Sequence, residues 1–170
     1  MKKLLLTSFQ TWLDRQTYNS SDRLLAMAEQ WQFDAVELAF LRQLPVDTKL
    51  ASQRAIAAIE TFQPQGIICC GMAESRQNLT IESNATYQND CIYTQVDLEA
   101  LIKYLSNTTI SHDAGKFVCE GLYYQILNFL RFSLLKIPCI FVHVPLLTER
   151  NLPAIERDFK YILDSVSKLL

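Results

Sequence analysis

The feature that most limits the fold is an alternation of short apolar runs with longer amphipathic segments. The apolar runs at residues 3–8, 66–71 and 139–144 have the length and composition of buried strands. Between them, apolar residues recur at helical spacing in segments that begin at capping residues. This alternation predicts an α/β fold, in which helices cover both faces of a mostly parallel sheet.

The remaining elements follow from the same patterns. Two further strands are predicted at residues 34–41 and 108–112. A first helix is predicted from a cap within residues 19–22 to about residue 32, and further helices at about residues 48–62, 98–105, 117–132 and 153–169. Residues 72–94 are more polar and predict loops with a β-hairpin. The 170 residues fit one domain, residues 1–170, because no linker or repeat interrupts the pattern.

Charge and hydropathy argue against two classes of partner. The net charge is −2 and no run of Lys or Arg occurs, so we expect no nucleic-acid partner. The longest apolar run, residues 137–147, is too short to cross a bilayer, so we expect no membrane association. The first residues resemble a buried strand more than a signal peptide, which predicts a cytoplasmic protein.

Cysteine and histidine counts argue against stabilisation by disulfides or metal. The chain has five cysteines, an odd number, with no Cys-x-x-Cys spacing, and two histidines. A disulfide framework and a structural zinc site are therefore not expected.

Three residues could support acyl-transfer chemistry. Cys119 starts the predicted helix after Gly115, His143 ends the last strand, and Glu82 lies in the polar loop region. In a parallel α/β sheet, side chains at the carboxyl ends of strands meet at one edge. A helix start is expected to lower the pKa of a thiol, an imidazole can move its proton, and a carboxylate can orient the imidazole. Residue types alone leave this open, because buried Cys and His are usually packing residues.

Five segments, in the right order, carry a resemblance to a known family. They are residues 4–9 (LLLTSF), 66–71 (GIICCG), 79–85 (LTIESNA), 113–119 (DAGKFVC) and 141–147 (FVHVPLL). The last three resemble the motifs ITPERVA, AGTFVCN and FIHVPYLP of the pyroglutamyl-peptidase I (pyrrolidone-carboxylate peptidase) family of cysteine peptidases. The resemblance implies that Cys119 is the nucleophile, His143 the base and Glu82 the residue that orients the histidine.

The family resemblance also implies an activity and a fold. Members remove an N-terminal pyroglutamyl residue from peptides through a thioester acyl-enzyme, with no metal and no cofactor. The implied substrate is therefore a peptide or a small amide. The family fold is a three-layer α/β/α sandwich around a mixed, mostly parallel sheet. Members often form oligomers, so a homo-oligomer is an expected state.

The predicted substrate-binding residues depart from the family pattern. Phe9 matches one aromatic contact, and Trp12 stands where the family has a second phenylalanine. Met72 replaces a glutamine, and Ile92 replaces an arginine that lies near the family's active site. These changes predict a cysteine hydrolase with a rebuilt substrate pocket.

The same departures favour two alternatives. Glu120 follows Cys119, and its negative charge is expected to raise the pKa of the thiol. Together with the arginine lost at Ile92, this favours a catalytically weak or inactive homologue that acts as a binding or assembly protein. The other alternative is an enzyme that acts on a different small amide or acyl compound.

Overall fold

A six-stranded mixed sheet forms the centre of the computed structural model, which describes residues 1–170. The chain contains eight strands: β1 (Lys2–Phe9), β2 (Val36–Leu44), β3 (Gly66–Met72), β4 (Leu79–Glu82), β5 (Asn84–Tyr87), β6 (Asp90–Tyr93), β7 (Thr108–Ser111) and β8 (Cys139–Val144). The order in the sheet is β2-β1-β3-β8-β4-β7, and β5 and β6 form a separate antiparallel hairpin.

Five helices connect the strands: α1 (Ser20–Ala28), α2 (Thr48–Phe62), α3 (Leu98–Ile102), α4 (Val118–Phe132) and α5 (Leu152–Leu169). The side chains of Asn19, Asp47 and Asp97 accept backbone N–H groups and so define the starts of α1, α2 and α3. Pro153 lies in the first turn of α5, where its missing N–H is harmless. None of the helices has the length and apolarity of a membrane span.

The helices cover both faces of the sheet, and two apolar clusters lie between the layers. Side chains of α1, α3 and α5 form one cluster with the sheet. Side chains of α2, α4 and the β5–β6 hairpin form the other. The predicted α/β/α sandwich is confirmed, and apolar residues pack on both faces of the sheet as buried strands require.

Strand direction determines where the site forms. Strands β1, β3 and β8 are parallel, so their carboxyl ends meet at one edge of the sheet. Strand β4 runs antiparallel to β8, and β7 runs parallel to β4, which makes the sheet mixed. The edge formed by Phe9, Met72 and Val144 is therefore where side chains from several strands converge.

The structure corrects the placement of Glu82. It was expected in a loop, but it closes β4 and is fully buried. A strand of four residues between polar segments is too short for its alternation to stand out in sequence. Smaller differences affect the end of the first helix, which is at Ala28 instead of about Gln32, and β2, which extends to Leu44.

Candidate active site

A buried carboxylate–imidazole pair links two neighbouring strands. Nδ1 of His143 lies 2.7 Å from Oε1 of Glu82, and both side chains are buried. In the antiparallel register of β4 and β8, Glu82 faces Phe141 and is therefore a diagonal neighbour of His143. Because an ionised carboxylate only accepts hydrogen bonds, Nδ1 donates and Nε2 is the ring nitrogen available as a base.

Cys119 lies in the first turn of α4 and faces the same cavity as His143. The helix starts at Phe117 without a side-chain cap, so first-turn N–H groups have no side-chain acceptor. The glycine before it, Gly115, has φ +89°, a conformation that glycine adopts without strain. No hydrogen bond joins Sγ to the His143 ring, a contact that commonly tightens only when substrate is bound.

The thiol of Cys119 is protonated at rest. Burial raises its pKa to about 12, and the negative charge of Glu82 adds to the effect. This corrects the expectation that the helix start lowers the pKa, because removal of the thiol from water outweighs the helix dipole. Glu120 is not the cause, since its carboxylate is turned toward Thr86 and accepts its backbone N–H at 3.1 Å. Attack therefore requires a base such as His143.

Glu82 remains ionised despite its burial. Burial acts to raise its pKa, but hydrogen bonds, above all from His143, outweigh this effect and lower the pKa. Arg76 adds a guanidinium whose Nη1 lies 2.5 Å from Oε1 of Glu82. No sequence pattern predicted Arg76 at the site. Its position shows that a cation is present there although Ile92 replaces the family arginine.

An apolar cavity of about 210 Å³ lies beside Cys119 and His143. Phe9, Trp12 and Met72, three of the four predicted substrate-binding residues, line it. The other lining residues, which were not predicted from sequence, are Asn19, Ala114, Phe117 and Val118. The proximity of Phe117 and Val118 to Cys119 in sequence was a usable signal, whereas Asn19 and Ala114 gave none.

Ile92 lies outside this cavity. Its side chain is buried in the cluster formed with α2 and α4, while its strand neighbours Cys91 and Tyr93 are exposed. The alternation along β6 turns Ile92 into the core, which corrects the expectation that it contacts substrate.

Asn19 contributes the one side-chain amide in the cavity lining. Its Oδ1 accepts the backbone N–H of Ser21 at 3.0 Å, and its Nδ2 donates to the carbonyl of Gln10 at 3.2 Å. The second Nδ2 hydrogen has no protein acceptor in these contacts. Asn19 can therefore donate a hydrogen bond to a ligand oxygen.

The remaining histidine and cysteines lie elsewhere. His112 Nδ1 contacts the Ser83 hydroxyl at 2.7 Å and does not line the cavity. Cys91 is exposed, and Cys69, Cys70 and Cys139 are buried in the sheet. No group of three His, Cys, Asp or Glu side chains is arranged to hold a metal ion.

Comparison with known proteins gives related sequences and a related fold. No protein-family model matches the chain. A pyrrolidone-carboxylate peptidase from Vibrio campbellii is 27% identical over 177 aligned positions, which cover 89% of this chain and 82% of that protein. A pyrrolidone-carboxylate peptidase from Enterococcus faecalis is 26% identical over 136 positions, which cover 65% of this chain and 64% of that protein.

Among solved structures, the pyroglutamyl peptidase I from Bacillus amyloliquefaciens has the same fold. The TM-score is 0.85 at 21% identity, and the match covers 98% of this chain and 95% of that one. The chain is therefore similar in sequence to pyrrolidone-carboxylate peptidases and shares the fold of a pyroglutamyl peptidase I over nearly its whole length.

Proposed function

We propose that the chain is a cysteine peptidase that removes an N-terminal pyroglutamyl group from peptides. The observation that carries this proposal is the shared cavity of Cys119 and His143, with the His143 ring held by buried Glu82. This arrangement provides a nucleophile, a base and an orienting carboxylate.

The reaction begins with a protonated thiol. Nε2 of His143 takes the proton of Cys119 as Sγ attacks the acyl carbon, and the carbonyl oxygen becomes an oxyanion. First-turn N–H groups of α4 are suited to bind this oxyanion, because the helix lacks a side-chain cap. The C–N bond then breaks, the His143 proton passes to the leaving amine, and a thioester remains. Water, deprotonated by His143, releases the acyl group and restores the thiol.

The cavity suits a small, uncharged ring. Its lining is mostly apolar, contains the rings of Phe9, Trp12 and Phe117, and includes no carboxylate. An ordinary N-terminus carries an ammonium that would lose its hydration without gaining an anionic partner. A pyroglutamyl group has no such charge, and Asn19 offers its lactam carbonyl a donor. The cavity therefore favours a blocked N-terminus over a free one.

A second, larger depression offers room for the rest of the peptide. It has a volume of about 690 Å³ and shares Trp12 and Phe117 with the acyl cavity. Most of its lining is polar, which suits the solvated backbone beyond the acyl group. The peptide is thus expected to pass over the Trp12–Phe117 pair, whose ring centroids are 6.2 Å apart.

The raised pKa of Cys119 is the observation that favours the alternative of a weak or inactive homologue. Turnover of pyroglutamyl-aminomethylcoumarin by wild type and by Cys119→Ala decides between the two. We expect release by wild type only, and no release from prolyl-aminomethylcoumarin, which has a similar ring but a charged amine. Absence of wild-type turnover, or turnover that survives Cys119→Ala, would contradict the proposed function.

We further propose a cytoplasmic location and self-association. Five free cysteines fit a reducing compartment. Phe132, the last residue of α4, and Leu134, two residues later, are exposed, and exposed apolar residues of this kind are typical of subunit contacts. Light scattering after size exclusion tests the association, since a monomer at micromolar concentration would contradict it.

A further inference from the structure

Arg76 lies on the segment between β3 and β4 and connects several parts of the site. Its Nη1 contacts Thr80 Oγ1 and, at 2.5 Å, Oε1 of Glu82. Its Nη2 donates to the carbonyl of Asp113 at 2.9 Å and lies 3.3 Å from Oγ of Ser111. The side chain is 24% exposed, so these contacts are largely shielded from solvent.

The contact with Asp113 connects Glu82 to the nucleophile. Residues 112–117, which we call the nucleophile loop, join β7 to α4 and end two residues before Cys119. Within this loop, the side chain of Asp113 accepts the N–H of Gly115 at 2.9 Å. One guanidinium therefore contacts both the carboxylate that orients His143 and the start of the loop that carries the thiol.

We propose that Arg76 is a positioning residue of the reaction, because its guanidinium clamps the Glu82 carboxylate to the nucleophile loop. This inference rests on the proposed function. A planar guanidinium can donate to both partners in a fixed geometry, whereas a lysine ammonium is a single charge at the end of a flexible chain. The geometric clamp and the positive charge are therefore two separate contributions of Arg76 to the reaction.

The charge of Arg76 also offsets that of Glu82. Oε1 of Glu82 accepts from both Arg76 and His143, so the cation opposes uptake of a proton by the Glu82–His143 pair. The same cation acts to lower the pKa of Cys119, which Glu82 acts to raise. Loss of Arg76 would leave the buried carboxylate stabilised only by neutral hydrogen-bond donors such as Ser111 and by His143.

The other titratable groups around this pair are Cys119 and Tyr123 on α4 and Cys69 on β3. None of them carries a positive charge. Arg76 is the one Lys or Arg side chain that forms an ion pair with Glu82, and its removal is expected to change the pH dependence of the reaction.

Arg76→Met, Arg76→Lys and Arg131→Met test the proposal. Arg131 pairs with Asp90 on the surface near the other end of α4, so its variant also removes one charge but leaves the site intact. We expect Arg76→Met to lower kcat about 10- to 100-fold, the effect of small misplacements of catalytic groups, with little change in KM. The acid limb of its kcat/KM profile should move to higher pH.

Arg76→Lys separates the two contributions. It should keep the wild-type acid limb, because the charge is present, and show an intermediate kcat, because the clamp is lost. Arg131→Met should match wild type both in kcat and in the acid limb of the kcat/KM profile. Circular dichroism establishes that each variant is folded, and Arg76→Lys provides the result if Arg76→Met does not fold. A wild-type kcat and pH profile in Arg76→Met, or in Arg76→Lys if Arg76→Met is unfolded, would overturn the proposal.

The role of Arg76 can also be tested by a measurement that does not depend on catalytic turnover, so that it can fail or succeed separately from the proposed function. The chain has two histidines, so the ring signal of His143 can be followed by NMR as pH is varied. In Arg76→Met the pair should take up its proton at higher pH than in wild type. If wild type releases no product, the proposed function fails, and an unchanged His143 titration then overturns the role of Arg76 as well.

Discussion

Gly71 leaves the space that the thiol of Cys119 occupies. A Cβ at Gly71 would stand 2.6 Å from Sγ of Cys119 and 2.9 Å from Cζ of Phe141. Gly71 also pairs in register with His143 on the neighbouring strand. The absence of a side chain on β3 therefore lets the sulfur lie against the sheet beside the strand that carries the imidazole.

Gly71→Ala should displace the nucleophile. A methyl group at this distance forces the thiol or the Phe141 ring to move, and a small misplacement lowers kcat/KM about 100-fold. Overpacking should also lower the free energy of unfolding by about 1–3 kcal/mol. Activity on a pyroglutamyl substrate and urea unfolding measure the two effects.

Gly66→Ala is the matched control, because Gly66 lies at the other end of β3. A Cβ there would stand 2.8 Å from Cδ2 of Leu170 and 2.9 Å from Cδ1 of Leu4. Its unfolding free energy should fall similarly while kcat/KM stays near the wild-type value. Equal loss of activity in both variants would show that the Gly71 effect is not specific to the thiol.

Glu82→Gln should impair the orientation of His143. The neutral amide keeps the size of the side chain but no longer stabilises the imidazolium, and the corresponding change in other triads lowers kcat about 10⁴-fold. A kcat within tenfold of wild type would contradict the orienting role of Glu82.

The same variant has a pH-dependent effect on stability. The pKa of Glu82 is lowered in the folded state, so its carboxylate stabilises the fold above the unfolded pKa of about 4.3 and loses this contribution as pH falls. Glutamine does not titrate. The stability advantage of wild type over Glu82→Gln should therefore shrink on acidification below about pH 5, as measured by urea unfolding at several pH values. A stability advantage of wild type over Glu82→Gln that grows toward low pH would contradict a lowered pKa of Glu82 in the folded state.

The thiol of Cys119 should react slowly with iodoacetamide near neutral pH. Its pKa is raised to about 12, so the thiolate fraction is small and the rate should rise about tenfold per pH unit. Exposed Cys91 should be modified first, as peptide mass mapping can show. A pyroglutamyl chloromethyl ketone, positioned beside His143, should instead modify Cys119 at neutral pH in wild type but not in His143→Ala. Rapid iodoacetamide labelling of Cys119 at pH 7 would contradict a protonated resting thiol.

Trp12→Ala should weaken binding of the acyl group. Trp12 lines both the acyl cavity and the larger depression, so its truncation opens the wall between them. Loss of one apolar wall is expected to raise KM about tenfold, with a smaller effect on kcat. Trp12→Phe keeps a ring at this position and should stay within about threefold of wild type. An unchanged KM in Trp12→Ala would place the acyl group elsewhere.

Much of the fold was predictable because its long elements have strong patterns. The runs that form β3 and β8 are continuously buried, and the apolar stripe and Gly115 define α4. Strand β4 was not predicted, because its four residues are short and its position depends on pairing with β7 and β8. Pairing between distant segments is a property of the tertiary structure that local patterns do not contain.

In the site, too, some features could be predicted from local sequence and others depend on the tertiary structure. The motif positions of Cys119 and His143 could be read from sequence, but the contact of Arg76 with Glu82 depends on how the β3–β4 segment folds back over the sheet edge. The raised pKa of Cys119 depends on burial, which outweighs the local effect of a helix start. Ile92 was misplaced because the facing direction of a short hairpin strand is set by its packing on α4.

The most direct test is to detect the acyl-enzyme on Cys119. Wild type is mixed with a pyroglutamyl substrate, quenched in acid during turnover, and digested for mass spectrometry. We expect one pyroglutamyl group on the peptide that contains Cys119, none on peptides with the other four cysteines, and neither adduct nor turnover in Cys119→Ala. Product release by Cys119→Ala at the wild-type rate, or an adduct on another cysteine that disappears as product forms, would contradict it.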